Sequence, residues 1–465
     1  MKKLLILFLA LLLLPLPPTV CAVGDGYIIR IKPNPRLSRS VLISTEIEEI
    51  GQNKGVYYVK SLNDIPKLSA LGEIEYIESN YTVTLFAAPN DEYYAEQINL
   101  QVVKAEKAWD IGCYGNDVII GVIDSGIVEH PDLNANVIEG YNYLDDNNDT
   151  VDVIGHGTFV SGIIAARQNK IGIVGIAHKS KIVPLKCFGE GMTTTLKAVV
   201  DVIYGAVDDF NCEIINMSFG LSANPLSLSE AIDYAVSKDT IIVAAVGNDG
   251  NNTLYYPAAY DNVIGVGSVD NDKNVSSFSQ RNNSVFVTAP GRDIKSLSLD
   301  RDYRTDLGTS CSAPIVAGLL AVSKCIDGNI NVESAKLLLS NTAEDLGDNG
   351  YDLSYGYGLV NAETMIKKML DGIDWFVSPF DFDDEVYYIT VYNNSEIKQN
   401  AVSIFAGYSY NKFENMKISD IVLTPKESAV LSLESDLSQI KHFLWQDIQR
   451  LEPLYNSQIA AHNKN

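Results

Sequence analysis

The chain has 465 residues and a formal net charge of −24. This acidic balance argues against nucleic-acid binding, because proteins meet phosphates with lysine and arginine side chains. A hydrophobic content of 46% and a charged content of 20% exclude wholesale disorder, and the length predicts about two or three domains.

The N-terminus predicts a signal peptide over residues 1–22. Two lysines precede an unbroken apolar run from Leu4 to Leu14, and small residues around Ala22 form a cleavage site. The run is too short for a stable transmembrane helix, although a retained membrane anchor is the alternative. We therefore expect an exported mature chain without a membrane span, either secreted or associated with the cell envelope.

Five cysteines follow this leader, and their odd number and scattered spacing do not predict a disulfide framework. They are Cys113, Cys187, Cys212, Cys311 and Cys325. No Cys-x-x-Cys motif or Cys/His cluster indicates a zinc site. We therefore expect at least one free thiol in a monomer.

Residues 23–88 predict a small α+β unit, with strand patterns over 27–31 and 55–59 and a helical pattern over 65–71. From about residue 110 to 370, apolar strand runs alternate with helical periodicity. This alternation predicts an α/β fold in which helices cover both faces of a parallel sheet. The strand patterns cover 117–124, 212–217 and 240–246, and the helical patterns cover 159–164, 196–207 and 229–238.

Residues 371–465 do not show this alternation of strand and helix patterns. Four short strand runs separated by turn signals predict a small antiparallel β-sandwich. No catalytic pattern marks this block, and Trp375 and Trp445 fit a sandwich core better than a sugar-binding face.

Three polar side chains fall where a parallel sheet builds its sites, at the carboxyl ends of strands and the amino ends of helices. Asp124 closes a strand, His156 opens a helix, and Ser310 precedes another helix. A serine hydroxyl becomes a nucleophile when an imidazole accepts its proton, and a carboxylate holds that imidazole in the right tautomer. Asn248 follows a fourth strand end and can donate to a developing oxyanion. Each motif alone is a common turn or cap, and only their combination is specific.

The stretches around these residues resemble the subtilisin family of serine peptidases, or subtilases. They are VIDSGIVEHPDL, GHGTFVSGIIAA, INMSFG, AAVGNDG, YYPAAYDNVIGVGSV, TAPG, GTSCSAPIVAG and YGYGLVNAE, within about residues 110–365. The resemblance implies a triad of Asp124, His156 and Ser310, with Asn248 as the oxyanion donor. It also implies protein or peptide substrates, bound as an added strand by the backbone of two segments. These segments are Ser218, Phe219 and Gly220, and Ala245, Val246 and Gly247.

The same resemblance implies that residues 23–88 are a propeptide, which assists folding and then inhibits the cleft until it is cut. We expect the cut between Leu85 and Ala88; a permanent accessory domain is the alternative. The expected organisation is a leader at 1–22, this propeptide, a catalytic domain at 89–370 and an accessory domain at 371–465. We expect a monomer.

Two smaller features follow from the resemblance. Asp132 and Asn169 match the family's strong calcium site, so the resemblance implies a structural calcium ion there, although the site's N-terminal ligand is not clearly matched in this sequence. The chemistry itself needs no cofactor. An acidic run over 145–149 resembles a calcium loop by composition alone.

The resemblance places Tyr255 near the floor of the primary specificity pocket, where many relatives have glycine. This position predicts a pocket that prefers small side chains; the alternative is that the Tyr255 ring points elsewhere.

Two other functions remain open from the sequence. A non-catalytic binding or signalling protein could use the same fold, although it would not need all four groups. A cysteine peptidase could use Cys311, next to Ser310, if His156 were aimed at that thiol.

Overall fold

The computed structural model describes most of the chain between residues 23 and 461. The described ranges are 23–33, 47–50, 55–61, 65–69, 72–81, 89–383, 386–409, 412–434, 439–447, 452–453 and 458–461. The predicted leader and the predicted propeptide cut lie outside these ranges. Backbone contacts divide the chain into one unit over 87–372 and a second formed by 1–86 with 373–465.

The described strands and helices are numbered in chain order. The strands are β1 Val23–Pro33, β2 Ile47–Ile50, β3 Val56–Val59, β4 Gly72–Tyr81, β5 Ile119–Asp124, β6 Tyr141–Asn142, β7 Lys181–Lys186, β8 Ile214–Met217, β9 Ile241–Ala245, β10 Ile264–Val269, β11 Val287–Pro290, β12 Ile294–Leu297, β13 Tyr303–Asp306, β14 Trp375–Val377, β15 Asp381–Asp383, β16 Val386–Asn393, β17 Gln399–Ser409, β18 Lys412–Leu423, β19 Ser428–Glu434, β20 Gln439–Asp447, β21 Glu452–Pro453 and β22 Gln458–Ala461. The helices are α1 Ile65–Ser69, α2 Ile98–Val102, α3 Glu106–Trp109, α4 His156–Ala165, α5 Leu196–Asp208, α6 Leu226–Val236, α7 Thr309–Ile326, α8 Val332–Thr342 and α9 Ala362–Met369, with short 3-10 helices at Tyr94–Glu96 and Asn134–Asn136.

Unit 87–372 is built on a seven-stranded sheet in the order β11-β10-β9-β8-β5-β7-β6, and all its pairs are parallel. Every residue of β8 and β9 is buried, which requires cover on both faces. Helices α5 and α6 cover one face, through a shared core with Ile123, Ile215 and Ile242. Helices α4 and α7 pack against each other and against the strands on the other face. The predicted α/β fold class is therefore confirmed.

The carboxyl edge of this sheet gathers the chain segments that carry the polar motifs. Strand β5 ends at Asp124, and β9 ends three residues before Asn248. Helix α4 begins at His156, and α7 begins at Thr309, one residue before Ser310. This edge is where an open parallel sheet places its ligand sites.

Helix α7 is the core helix of the unit. Within the described residues it is the one helix long and apolar enough to cross a membrane, and 83% of that apolar stretch is buried inside the protein. Its burial identifies it as a core element, because its apolar surface is already covered by protein.

The segments outside 87–372 are antiparallel. Strands β2-β3-β1-β4 form one sheet, whose core with α1 contains Ile29, Tyr57 and Leu68. Strands β14-β16-β15 with β19 form a second sheet, and β18-β17-β20-β21 with β22 form a third. Side chains from the second and third sheets share one core, which includes Trp375 and Phe405. The Trp445 side chain lies outside what the structure describes.

Candidate active site

His156 and Asp124 form the centre of the site. The His156 Nδ1 atom lies 2.8 Å from each carboxylate oxygen of Asp124. The Asp124 side chain is 6% exposed and that of His156 is 27% exposed, so the pair is shielded while the imidazole reaches solvent. The negative charge of Asp124 raises the pKa of His156, and burial works against this rise. A bond at Nδ1 leaves Nε2 to exchange a proton with a substrate or nucleophile.

Asp152 fixes the turn that leads into His156. Its Oδ1 accepts the N–H groups of Ile154 and Gly155 at 2.9 and 2.8 Å. Its Oδ2 accepts the N–H and the hydroxyl of Thr158 at 3.0 and 2.8 Å. The buried carboxylate thus satisfies donors at the start of α4, and its charge adds to the rise in the pKa of His156. Sequence reasoning missed this residue, although an acidic side chain four positions before a helix-opening histidine was a readable signal.

Ser310 lies in the first turn of α7 and is partly exposed. Backbone N–H groups in this turn have no acceptor within the helix, so the Ser310 N–H can donate to a substrate oxygen. Gly308 precedes it with a φ of 144°, and a Cβ at this position would lie 2.9 Å from Ser310 Oγ and 3.3 Å from Asn248 Nδ2. The Ser310 hydroxyl and the Asn248 amide therefore border one small space that Gly308 leaves open.

Asn248 is held with its donor end toward that space. Its Oδ1 accepts both the N–H and the hydroxyl of Thr309, at 2.8 and 2.9 Å. The Thr309 Oγ1 in turn accepts the N–H of Gly247 at 3.2 Å. Because Oδ1 is fixed, Nδ2 is aimed beside Ser310 before any substrate arrives. Sequence reasoning did not identify the role of Thr309, which depends on contacts between distant segments.

Burial distinguishes Ser310 from its neighbour Cys311. Cys311 is 2% exposed, and burial raises the pKa of its thiol to about 12, so the thiol stays protonated. Among the described residues no hydrogen bond joins Ser310 to His156. Hydrogen bonds between catalytic groups are often too long without substrate and shorten when substrate binds. The partly exposed Ser310 hydroxyl is accessible to a substrate, whereas the buried Cys311 thiol is not.

The predicted substrate-binding segments lie next to Ser310. The Ser218 hydroxyl donates to the Ser310 carbonyl at 3.1 Å. The Phe219 ring packs against Phe188 with centroids 5.0 Å apart. Gly220 and Gly247 each approach Tyr255 closely, because a Cβ on either would lie 3.0 and 2.7 Å from atoms of that residue.

Tyr255 therefore lies between the two segments. Its hydroxyl donates to Asp249 Oδ2 at 2.6 Å, which fixes the ring beside the two glycines. Ala245 and Val246 are buried, and the Val246 N–H donates to the Val266 carbonyl. Their role here is to continue β9 toward Gly247 and Asn248.

A second group of polar side chains surrounds Asp132 and Asn169. Asp132 is fully buried and accepts the amide of Asn169, the N–H of Ile173 and the hydroxyl of Tyr303 at 3.0, 3.0 and 3.2 Å. Burial raises the pKa of Asp132 to about 7. Asp91, which sequence reasoning missed, accepts the N–H of Asn169 at 2.8 Å through Oδ1.

This acidic pocket fits a hard cation. The Oδ2 atom of Asp91 is buried without a hydrogen-bond partner in the described chain, and the charge of Asp91 adds to the rise in the pKa of Asp132. Among the described residues no three His, Cys, Asp or Glu side chains converge, so backbone carbonyls would have to complete the ligand set. Calcium accepts such mixed oxygen ligands.

Comparisons with known proteins agree with this geometry. Residues 115–358 match the model of the subtilase family. The chain is 37% identical over 301 residues to a thermophilic serine proteinase of Bacillus sp. (strain AK1), covering 64% of this chain and 73% of that one. It is 34% identical over 301 residues to the minor extracellular protease Epr of Bacillus subtilis (strain 168), covering 62% and 46%.

A solved structure shares the fold. The structure of a protease from Pseudoalteromonas arctica PAMC 21717 superposes with a TM-score of 0.55 at 26% identity, covering 61% of this chain and all of that chain. The family match extends over just more than half of the sequence and includes Asp124, His156, Asn248 and Ser310. The chain belongs to the subtilase family and is a serine-type endopeptidase.

Proposed function

We propose that the protein is a secreted endopeptidase that uses Asp124, His156 and Ser310 as its triad and Asn248 as its oxyanion donor. The observation that carries the proposal is the pair of hydrogen bonds from Thr309 to Asn248 Oδ1, which direct Asn248 Nδ2 toward the space beside Ser310. The Asp124–His156 pair at 2.8 Å supports it.

The mechanism follows from these positions. Ser310 Oγ attacks the scissile carbonyl while His156 Nε2 takes its proton, and Asp124 stabilises the imidazolium that forms. Asn248 Nδ2 and the Ser310 N–H bind the oxyanion, and His156 then protonates the leaving amine. Water repeats the sequence on the acyl-enzyme and releases the second product.

One comparison of variants tests the nucleophile. Ser310→Ala is expected to abolish peptide hydrolysis and to leave the precursor uncut, because no other side chain replaces the hydroxyl. Cys311→Ala should keep both activities, since the buried thiol has no catalytic part. Hydrolysis by purified Ser310→Ala, measured on a chromogenic peptide, would overturn the assignment.

We propose that residues 23–88 act as an intramolecular inhibitor that the enzyme removes itself. The family membership and the separate α+β core of this segment support the proposal. The expected result is a wild-type chain cut between Leu85 and Ala88, seen by N-terminal sequencing. A mature chain that retains residues 23–88 with full activity would favour the accessory-domain alternative.

We propose that Tyr255 shortens the primary specificity pocket. Its ring lies between the two substrate segments and is tied to Asp249, so a large side chain before the cut would meet it. A peptide library should show preference for small residues there, and Tyr255→Gly should extend the preference to Phe and Tyr. Strong wild-type preference for aromatic residues would contradict this pocket shape.

We propose that calcium binds to Asp91, Asp132 and Asn169. The Asn169 Oδ1 accepts the Ile171 N–H, and its second lone pair remains for a ligand bond. The ion would supply positive charge for two buried carboxylates and would take no part in peptide hydrolysis.

We also propose that the protein is secreted, because the name of one relative describes it as extracellular. We propose that it is a monomer.

A further inference from the structure

Asn216 is a fully buried polar side chain in an otherwise apolar strand. It lies in β8 between Ile215 and Met217, whose side chains belong to the core that α5 and α6 cover. Because side chains alternate along a strand, Asn216 faces the opposite side of the sheet, where α7 packs. Its Nδ2 atom donates to Ser218 Oγ at 3.0 Å, whereas its buried Oδ1 atom has no hydrogen-bond partner among the described residues.

The unpartnered oxygen of Asn216 is costly for the fold. A buried acceptor without a donor loses its hydrogen bonds to water and regains none, so it lowers the free energy of unfolding. An apolar side chain of similar size would avoid this cost. The hydrogen bond from Nδ2 to Ser218 therefore indicates a role for Asn216 other than stability.

Ser218 connects Asn216 to the main chain of Ser310. The Ser218 hydroxyl donates to the Ser310 carbonyl at 3.1 Å. In an α-helix this carbonyl would accept the N–H of residue 314, but that residue is Pro314, inside α7, and proline has no N–H. The Ser218 hydroxyl thus supplies a donor that α7 itself lacks at this position.

The direction of the two hydrogen bonds shows what Asn216 contributes. A serine hydroxyl has one hydrogen, and Ser218 gives it to the Ser310 carbonyl. Its oxygen can therefore only accept from Asn216, which requires Nδ2 and not Oδ1 on that side. The buried amide holds the hydroxyl in the orientation that donates to Ser310.

We propose that Asn216 and Ser218 are positioning residues that hold the main chain of Ser310, and that Asn216 acts only through Ser218. The Ser310 main chain carries both the N–H that binds the oxyanion and the side chain that attacks. A small displacement of either group weakens catalysis, because the reacting atoms and the donors must be aligned before the reaction. This inference rests on the proposed function, since it concerns the reaction of Ser310.

Asn216→Leu tests the proposal, because leucine has a similar shape and removes both the donor and the unpartnered oxygen. We expect kcat per titrated active site to fall by about 10- to 100-fold, with KM within about 2-fold of the wild type. The thermal midpoint, measured in the Ser310→Ala background to avoid self-digestion, should stay equal or rise. A lower midpoint with unchanged kcat would show a purely structural role and overturn the proposal.

Thr240→Val is the matched control. Thr240 is also buried, but its hydroxyl donates to the Cys212 carbonyl at the start of β9, at the opposite edge of the sheet. Its loss should lower the thermal midpoint by roughly 2–4 °C and leave kcat unchanged. The control thus separates the loss of a buried hydrogen bond from the loss of positioning.

A double-mutant cycle tests whether Asn216 acts through Ser218. Ser218→Ala should lower kcat about as much as Asn216→Leu, and the double variant should lose no more than Ser218→Ala alone. Losses that multiply would contradict the connection. If Asn216→Leu does not fold, Ser218→Ala is compared with Ser218→Thr, which keeps the hydroxyl, and equal kcat in these two overturns the proposal.

These outcomes are distinct from a failure of the proposed function. Hydrolysis by Ser310→Ala would refute the assignment of the nucleophile. Full kcat in both Asn216→Leu and Ser218→Ala, with Ser310 still required, would refute only the positioning role.

Discussion

Two buried aspartates in the same unit have opposite surroundings. Asp124 faces the imidazole of His156, a group that becomes a cation in the proposed mechanism. Asp132 receives only neutral donors from Asn169, Ile173 and Tyr303. The described residues thus supply a partner for the charge of Asp124 at the carboxyl edge of the sheet but no cation for Asp132. A buried carboxylate without a cationic partner binds either a proton or a cation from solution, and the calcium proposed above would be that cation.

The largest expected effect is at Asp124. Asp124→Asn should lower kcat by about 10⁴-fold, because the imidazolium loses its carboxylate and the tautomer changes. The wild-type rate should fall as the pH drops through the raised pKa of His156, above the usual 6.5, because the protonated imidazole is not a base. In the variant this acid limb should move to lower pH, as seen in a kcat/KM profile. Asp117→Asn, at the exposed loop before β5, is the control; an unmoved acid limb would refute the pairing.

The next effect is at Asn248. Asn248→Ala should lower kcat by about 10²- to 10³-fold with little change in KM, because the amide acts on the oxyanion and hardly on bound substrate. Asn252→Ala, an exposed position of the same loop, should match the wild type. A loss confined to KM would show that Asn248 binds the ground state instead.

The acidic pocket should respond to calcium. At about 100 times its dissociation constant, calcium should raise the thermal midpoint by roughly 5–10 °C, and a chelator should reverse this. Asp132→Asn should remove most of the gain, whereas Asp146→Asn in the exposed acidic run should keep it. Equal gains in the two variants would place the ion elsewhere.

The pH dependence of the calcium-free protein gives a further test of this pocket. The folded-state pKa of Asp132, about 7, is above the usual aspartate value, so the folded state favours the protonated carboxyl. Its contribution to the free energy of unfolding should therefore be lost as the pH rises from about 4 to 7. Urea unfolding across this range should show that loss in the wild type and not in Asp132→Asn.

The smallest effect is expected at Asp152. Asp152→Asn should lower the free energy of unfolding by about 1–2 kcal/mol, since an amide cannot accept all four donors at the start of α4. It should also shift the acid limb of kcat/KM slightly to lower pH, which a purely structural role would not do. Asp149→Asn, in the exposed loop just upstream, serves as the control.

The sequence predicted three of the seven strands of the parallel sheet and the helices of one face, because β5, β8 and β9 carry apolar runs and α5 and α6 carry helical periodicity. It also indicated Asp124, His156, Asn248 and Ser310, whose positions at strand and helix ends can be read locally. The hairpin of β12 and β13 and the long strand β18 were missed, since their polar residues hide the alternation.

The missed site residues depend on tertiary contacts. Thr309 acts only through Asn248, and Asp91 only through Asn169, each far away in sequence. Spacing along the chain predicts which residue types are available but not which ones the fold brings into contact.

The burial of α7 has a practical consequence for protein engineering. Ser310 lies in the first turn of α7, and the residues that follow it in this helix are almost all buried. A substitution that enlarges or shrinks one of those enclosed side chains is expected to shift the backbone of the helix and with it the Ser310 hydroxyl. Turnover should therefore respond to changes in interior packing, and libraries that redesign the interior can be screened by activity together with thermal stability.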